Sequence, residues 1–318
     1  MTRADVARKA GVSSTTVAYV MNPPPGVKIR EATKIKVLAA AKALGYSTNF
    51  SARSMKRGKT ELVGILTPEP ASQFHPFYAQ MLQGIYDAAA ESDYHFLSLS
   101  MDRRDKTKRC LRENYVDGVI VIQSDGHLDS LQDVLDQQLP VVTLNFQHDL
   151  PVPQISMDYE AAMRQAVDEL QGQGAGKILF VHGSWESQPV ERYRSVFSGK
   201  AQPGVKMETL GIERYALEPE QISRLLAQGW GGLIVDGYEL AREIAYHADY
   251  RKKRKRPPLA VFSESLHPAP LGASVTILQS QPQRSGQLAW QELLNLLNGK
   301  ATRETGHSIP FLTRTPEI

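Results

Sequence analysis

Residues 2–22 read TRADVARKAGVSSTTVAYVMN, two short apolar sets at helical spacing on either side of one glycine, and few local folds satisfy that spacing. Val6, Ala7 and Ala10 share one face of a first helix. Gly11 permits a turn, and Ser13 stands where a hydroxyl can cap a second helix carrying Val17, Val20 and Met21 inward. An ordinary helical hairpin at a domain edge would meet the same pattern. The outward side chains argue for more than that: Ser14, Thr15, Thr16, Ala18 and Tyr19 are small or polar, the kind that can approach base edges in a major groove. The spacing therefore predicts a helix-turn-helix.

Charge supports this. Residues 1–60 hold twelve Lys or Arg against two acids, Asp5 and Glu31, a net +10, whereas the other 258 residues hold 25 basic and 32 acidic side chains, a net −7. The whole-chain value of +3 hides the contrast. A basic head on an acidic body is the electrostatic footprint of a nucleic-acid-binding domain, because counterion release from phosphates supplies most non-specific affinity. A third helix is expected over Arg30–Leu44, with Ile35, Leu38, Ala41 and Leu44 inward and Gly45 as its C-terminal cap. Three short helices around one small core would make residues 1–47 an all-α DNA-binding headpiece.

From residue 44 the chain continues LGYSTNFSARSMKRG. With DVARKAGVSSTTVAYVMN, this stretch resembles the lactose-repressor (LacI/GalR) family of bacterial transcriptional regulators, and the resemblance runs over nearly the full length. It implies a hinge and linker at 48–60, where a short helix forms on DNA and two copies wedge an apolar side chain into the minor groove. Asn49, Ala52 and Arg53 match the hinge pattern, and Met55 takes the place of the wedge leucine, being apolar, unbranched and adaptable. Lys56 is expected to contact the DNA backbone. Thr48 replaces the usual proline, Arg30 replaces the serine that caps the third helix, and Pro23-Pro24-Pro25-Gly26 lengthens the loop before it.

Beyond residue 61, short apolar runs alternate with helical segments, the signature of parallel sheet wrapped by helices. Candidate strands are Leu62–Leu66, Phe96–Leu99, Gly118–Ile122, Val141–Leu144, Ile178–Val181, Gly232–Val235 and Leu259–Phe262, with helices such as Phe77–Ser92, Asp158–Gln171 and Tyr238–His247 between several of them. The family resemblance implies an α/β, two-lobed, periplasmic-binding-protein-like body over 61–318, one lobe about 61–157 and the other about 158–285, with Ser285–Asn298 a helix packed on it. No apolar stretch reaches the length of a membrane span and no signal-peptide core precedes the first helix, so the expectation is a cytoplasmic protein. The single cysteine, Cys110, reads as a partly buried structural thiol. The run RKKRKR at 251–256 is expected to be a solvated turn. Histidines lack metal-ligand spacing, and no phosphate loop, nucleophile elbow or paired catalytic carboxylate follows a strand, so no enzyme, metal or cofactor is expected.

In such folds ligands sit at the carboxyl ends of strands, in the crevice between lobes. After the first strand comes PEPASQFHPFY, whose Phe74 and Phe77 could stack on an apolar sugar face or pack between the lobes. Gln123 follows the third strand. Asn145 follows the fourth, where many family members place an aspartate. HGSWESQPVER resembles the family's loop leading to an effector-contacting arginine, here Arg192, with Trp185 as a neighbour. Asp236 matches the family's aspartate in its place, whereas Ser263 replaces a carboxylate that commonly pairs with sugar hydroxyls. Losing two acids while keeping an arginine favours an anionic or less hydroxylated ligand, such as a sugar phosphate or sugar acid. The expectation is a homodimeric regulator, a repressor, that binds a pseudo-palindromic double-stranded operator and responds to a small carbohydrate-derived effector. A regulator with a non-functional cleft and a solute-binding protein are the alternatives.

Overall fold

The computed structural model describes residues 1–23, 26–46, 54, 58–69, 74–122, 128–146, 148–183, 188–199, 205–213, 216–265, 268–269, 271–272, 274–300 and 306–314. Contacts divide the chain into two compact units, Met1–Thr60 and Glu61–Ile318.

The first unit holds α1 (Arg3–Ala10), α2 (Ser14–Met21) and α3 (Glu31–Leu44). A capping box starts α1, with the Thr2 side chain accepting from Asp5 N and the Asp5 carboxylate accepting from Thr2 N. Gly11 ends it at φ 64°, the left-handed geometry that lets the chain reverse into α2. The core is small: Val6, Ala7, Val17, Val37, Ala40 and Ala41, with Val20, Met21 and Leu44 packed at its edge. Two of the four residues expected inward on α3 are not there, since Ile35 is 61% exposed and Leu38 51%. At about 100° per residue, Ile35 lies roughly 160° round the helix from Val37, so the two cannot share a face. The buried stripe is Val37, Ala40 and Ala41, whose small side chains let α3 lie close to α1 and α2. As the sequence suggested, Arg30 supplies no side-chain cap to α3.

The second unit is built from two six-stranded sheets. The first lobe runs β1 (Leu62–Thr67), α4 (Pro76–Ala89), β2 (His95–Ser100), α5 (Arg104–Arg112), β3 (Gly118–Ile122), α6 (Leu128–Leu135), β4 (Val141–Leu144) and β5 (Gln154–Met157). The second runs α7 (Tyr159–Gly172), β6 (Lys177–Gly183), α8 (Gln188–Gly199), β7 (Lys206–Ile212), α9 (Pro219–Ala227), β8 (Gly232–Asp236), α10 (Tyr238–Tyr246), α11 (Ala248–Lys252), β9 (Leu259–Ser263) and β10 (Val275–Gln279). The chain then adds α12 (Pro282–Leu297), β11 (Gly306–Ile309) and β12 (Leu312–Arg314). Strand orders are β11-β5-β4-β3-β1-β2 and β12-β10-β9-β8-β6-β7, parallel throughout except that β12 pairs antiparallel with β10. Strands buried on both faces explain the near-continuous apolar runs, GVIVI and LAVFS among them.

Sequence order does not map onto lobes as simply as expected. The helix α12 packs on α4 of the first lobe rather than closing the second, and β11 completes the first sheet while β12 completes the second. The reason lies in two glycines. A Cβ at Gly84 would lie 1.9 Å from the Gln283 carbonyl oxygen, and one at Gly286 2.0 Å from that of Met81, so α4 and α12 meet backbone to backbone. The chain therefore passes between lobes three times, after β5, β10 and β11. These crossings are tied to one another: Asp158 N donates to Ile309 O at 2.8 Å and Gln281 Nε2 to Pro310 O at 2.6 Å. One apolar cluster, including Phe77, Tyr159, Tyr193 and Phe262, runs from lobe to lobe. Among the described residues, no helix is long and apolar enough to cross a membrane.

Candidate functional site

In the head, the site is the exposed side of α2. Ser13 adopts extended backbone at the N-cap; its Oγ accepts from Thr16 N at 3.1 Å and lies 2.9 Å from Thr16 Oγ1. Thr16 is thereby occupied with the cap. Thr15 is exposed, and Ser14, Ala18 and Tyr19 are half-buried, while Val17 is fully inside. The head's two acids are engaged locally: Asp5 accepts from Thr2 and lies 3.6 Å from Arg8, and Glu31 bonds Lys34 at 3.0 Å. The hydrogen bonds from the Thr2 backbone and then its side chain hold the Asp5 carboxyl below its usual pKa. The head's described basic side chains are thus exposed, with both acids already engaged. The hinge positions Asn49, Ala52, Arg53, Met55 and Lys56 lie outside the described residues.

In the body, the order of each sheet reverses beside its first strand, between β1 and β3 and between β6 and β8, and strand ends at such points line the crevice of a doubly wound fold. Asp236 ends β8 at one of them. Ser263 ends the adjacent β9, 1% exposed, with its Oγ accepting from Ser265 N at 3.2 Å, so its hydroxyl is used in shaping the turn. Asn145 follows β4, 3% exposed and at φ 56°. Phe77 is buried in the lobe-spanning cluster and packs edge-on to Tyr78, the packing role of its two expected alternatives, whereas Phe74 is 87% exposed. Gln123 and Trp185 lie outside the described residues; Arg192 lies on α8, with its side chain undescribed.

The structure adds groups that the residue-by-residue reading did not count. Gln80, from α4 of the first lobe, donates to the Glu264 carbonyl at 2.7 Å, which places Glu264 between the lobes. Its side chain opens to solvent there, yet crowding by surrounding protein and then the Asp236 charge push its pKa up to about 8. Near neutral pH this acid keeps its proton and can donate as well as accept. Tyr159, on the first turn of α7, donates its hydroxyl to Asn145 Oδ1 at 2.6 Å and meets Tyr193 edge-on at 5.2 Å. Tyr193 stacks on Phe262 at 4.2 Å, with 14° between the rings. His182 closes this aromatic wall beside Phe180; its Nδ1 lies 2.7 Å from Gly183 O and so carries a proton, while burial followed by the Arg194 charge lowers its pKa. Tyr159 follows the Asp158 cap in sequence, and that neighbour does not announce its meeting with Asn145 across the lobes.

Comparison with known proteins bears on both units. Residues 2–49 match the model described as bacterial regulatory proteins, lacI family, and residues 60–198 match periplasmic binding proteins and sugar binding domain of LacI family. The catabolite control protein A of Priestia megaterium is 32% identical over 60% of this chain and 58% of its own length. The HTH-type transcriptional regulator RegA of Clostridium saccharobutylicum is 26% identical over 95% of this chain and 94% of its own. Among solved structures, the Lac repressor dimer bound to operator and the anti-inducer ONPF superposes with a TM-score of 0.75, at 18% identity, over 98% of this chain and 97% of that one.

Proposed function

This chain belongs to the lacI family of bacterial regulatory proteins, a sequence-specific DNA-binding transcriptional regulator, and we propose that it acts in the cytoplasm as a homodimeric repressor whose operator affinity is set by a small metabolite bound between the body lobes. Its relatives are regulators rather than enzymes or solute carriers. The observation that carries the reading is the Ser13-capped α2 with Thr15 exposed on a +10 head, joined in one chain to a two-lobed body. A single head reads one half-site, so a pair of heads on a pseudo-palindrome follows from the geometry of major-groove recognition. A hinge helix of about eight residues would be too short to stand alone, a second reason to propose a pair of chains on the operator.

The head is read through Thr15, Tyr19, Ser14 and Ala18 at base edges, and the hinge through Asn49, Ala52, Arg53, Met55 and Lys56. The effector is read as an oxyanion-bearing, carbohydrate-derived compound held by Arg192, Asn145 and Asp236, with Glu264 added and with Ser263 and Phe77 supporting the walls. Phe74, Gln123 and Trp185 complete the proposed lining. Genomic footprinting would supply the operator, and fluorescence anisotropy with the full chain would then measure its affinity with and without central metabolites. Binding that is steep in salt, lost on removal of residues 1–58, and shifted by at least one metabolite is the expected result. Operator binding by the headless chain would overturn the head assignment; operator affinity unmoved by every metabolite would overturn the effector role.

A further inference from the structure

We propose that Asn145 serves as a hydrogen-bond donor to an oxyanion of the bound metabolite, and that Tyr159 is a positioning residue that fixes the amide in that sense. The inference rests on the effector reading above and specifies which end of the ligand meets which lobe.

Four non-glycine residues among those described have left-handed backbone, Glu61, Asn114, Gln138 and Asn145, and Asn145 alone of them is buried. Asparagine tolerates this region better than most residues, so the backbone can turn its side chain off the end of β4 at small cost. Tyr159 comes from the other lobe. Its hydroxyl donates to the amide oxygen at 2.6 Å, so the oxygen faces the tyrosine. The ring is held edge-on by Tyr193 at 5.2 Å and Phe311 at 5.7 Å, and Tyr193 is itself stacked on Phe262. The hydroxyl is therefore placed by a wall of rings.

That leaves Asn145 Nδ2 pointing away from Tyr159. It is buried and has no hydrogen-bond partner among the described residues. Buried amide groups are nearly always paired, so a donor kept in this state is explained by a ligand that completes it. With its oxygen held by Tyr159, the group the amide leaves unpaired is its donor. An aspartate at the same place would accept from sugar hydroxyls; this arrangement inverts the polarity and favours a carboxylate or phosphate oxygen, to which an N–H bond is charge-assisted. Across the crevice, Asp236 and the protonated Glu264 suit hydroxyl groups. The ligand class is a polyhydroxylated oxyanion with its charged end toward Asn145.

The test is a thermal-shift and calorimetric screen of the full chain with matched neutral sugars, their sugar acids and their phosphate esters; the acid and phosphate arms decide which oxyanion fits. Oxyanions should bind more tightly than their neutral parents. Asn145→Asp should weaken them at least tenfold and weaken their neutral parents less, and Tyr159→Phe, a gentler change, should reduce the ratio of oxyanion to neutral affinity without unfolding the body. Undiminished oxyanion binding by folded Asn145→Asp, an unchanged ratio in Tyr159→Phe, or preference for neutral parents in the unaltered chain would each overturn the inference and leave the effector role standing. If no compound binds or alters operator affinity, the effector role fails and this inference with it.

Discussion

Ser13→Ala isolates what the cap of the recognition helix contributes. The substitution removes the acceptor for Thr16 N and the contact with Thr16 Oγ1, leaving helical propensity and the core untouched. Losing such a cap costs about 1 kcal/mol, within a range of about 0.5–2. The head has its own core of six small or β-branched residues and should melt separately from the body. For a domain of about 60–100 residues, 1 kcal/mol lowers the melting midpoint by about 4–8 °C. Affinity should respond far less. At about 0.05 kcal/mol per residue the head is worth about 3 kcal/mol, so the loss raises its unfolded fraction from about 0.6% to about 3% and weakens operator binding by less than about twofold. Differential scanning calorimetry of the full chain reads both transitions, and anisotropy reads the affinity. An unmoved head transition would refute the assigned cap; a loss of affinity above tenfold would mean that Ser13 touches DNA itself.

The opposite signature is expected of Thr15→Ala and Tyr19→Ala, which should cost about 1–3 kcal/mol of cognate binding each and relax base preference while leaving the head's melting in place, as competition with random DNA would show. Met55→Ser should reduce operator bending in phased gel-shift assays, since a polar side chain is a poor wedge between unstacked bases. Gly286→Ala should destabilise the body by about 3 kcal/mol or more, at or beyond the upper end of overpacking costs, because its Cβ meets the Met81 carbonyl carbon and oxygen rather than a yielding side chain; the denaturation midpoint of the body checks this. Glu264 has a raised pKa in the folded chain, so its contribution is complete below the unfolded carboxyl value near 4.5 and is lost as pH rises toward 8. Glu264→Gln should therefore raise the body's melting temperature more at pH 8 than at pH 5, modestly because solvent reaches the side chain.

Features decided within a few residues were legible in the sequence. Gly118–Ile122 and Val141–Leu144 fold as strands with the expected ends, Ser13 and Gly45 cap the helices they were expected to cap, and Gly11 makes the expected turn. Each rests on a contiguous apolar run or a special backbone geometry. Strands without such a run were invisible: Lys206–Ile212 is an edge strand with mostly exposed side chains, and Gly306–Ile309 and Leu312–Arg314 are short and largely polar. They become strands because a neighbour offers a ladder, not because their residues favour one. The face of α3 failed for a related reason. Its sequence, EATKIKVLAAAKAL, spreads apolar residues around the helix, and only the tight approach of α1 and α2 selects Val37 and the alanines over Ile35 and Leu38.

The crevice shows the same limit in its chemistry. Asn145 follows a strand and Ser263 ends one, so their positions could be read from the pattern, but what each can do depends on partners that spacing does not reveal. Ser263 spends its hydroxyl on Ser265, two residues away, and is a wall rather than a substitute for a carboxylate. Asn145 is governed by Tyr159, fourteen residues on and across a lobe boundary, which takes the acceptor and leaves the donor. Counting acids along the sequence made the cleft less negative by two; bringing Glu264 beside Asp236 returns one carboxyl, and the raised pKa leaves it protonated near neutral pH. The charge of the site is therefore close to what the count implied, but for a different reason: an added acid held neutral first by the protein crowded around it and then by the Asp236 charge. Substituting Asp236 should let Glu264 ionise at lower pH, so the two residues cannot be interpreted separately in any binding experiment.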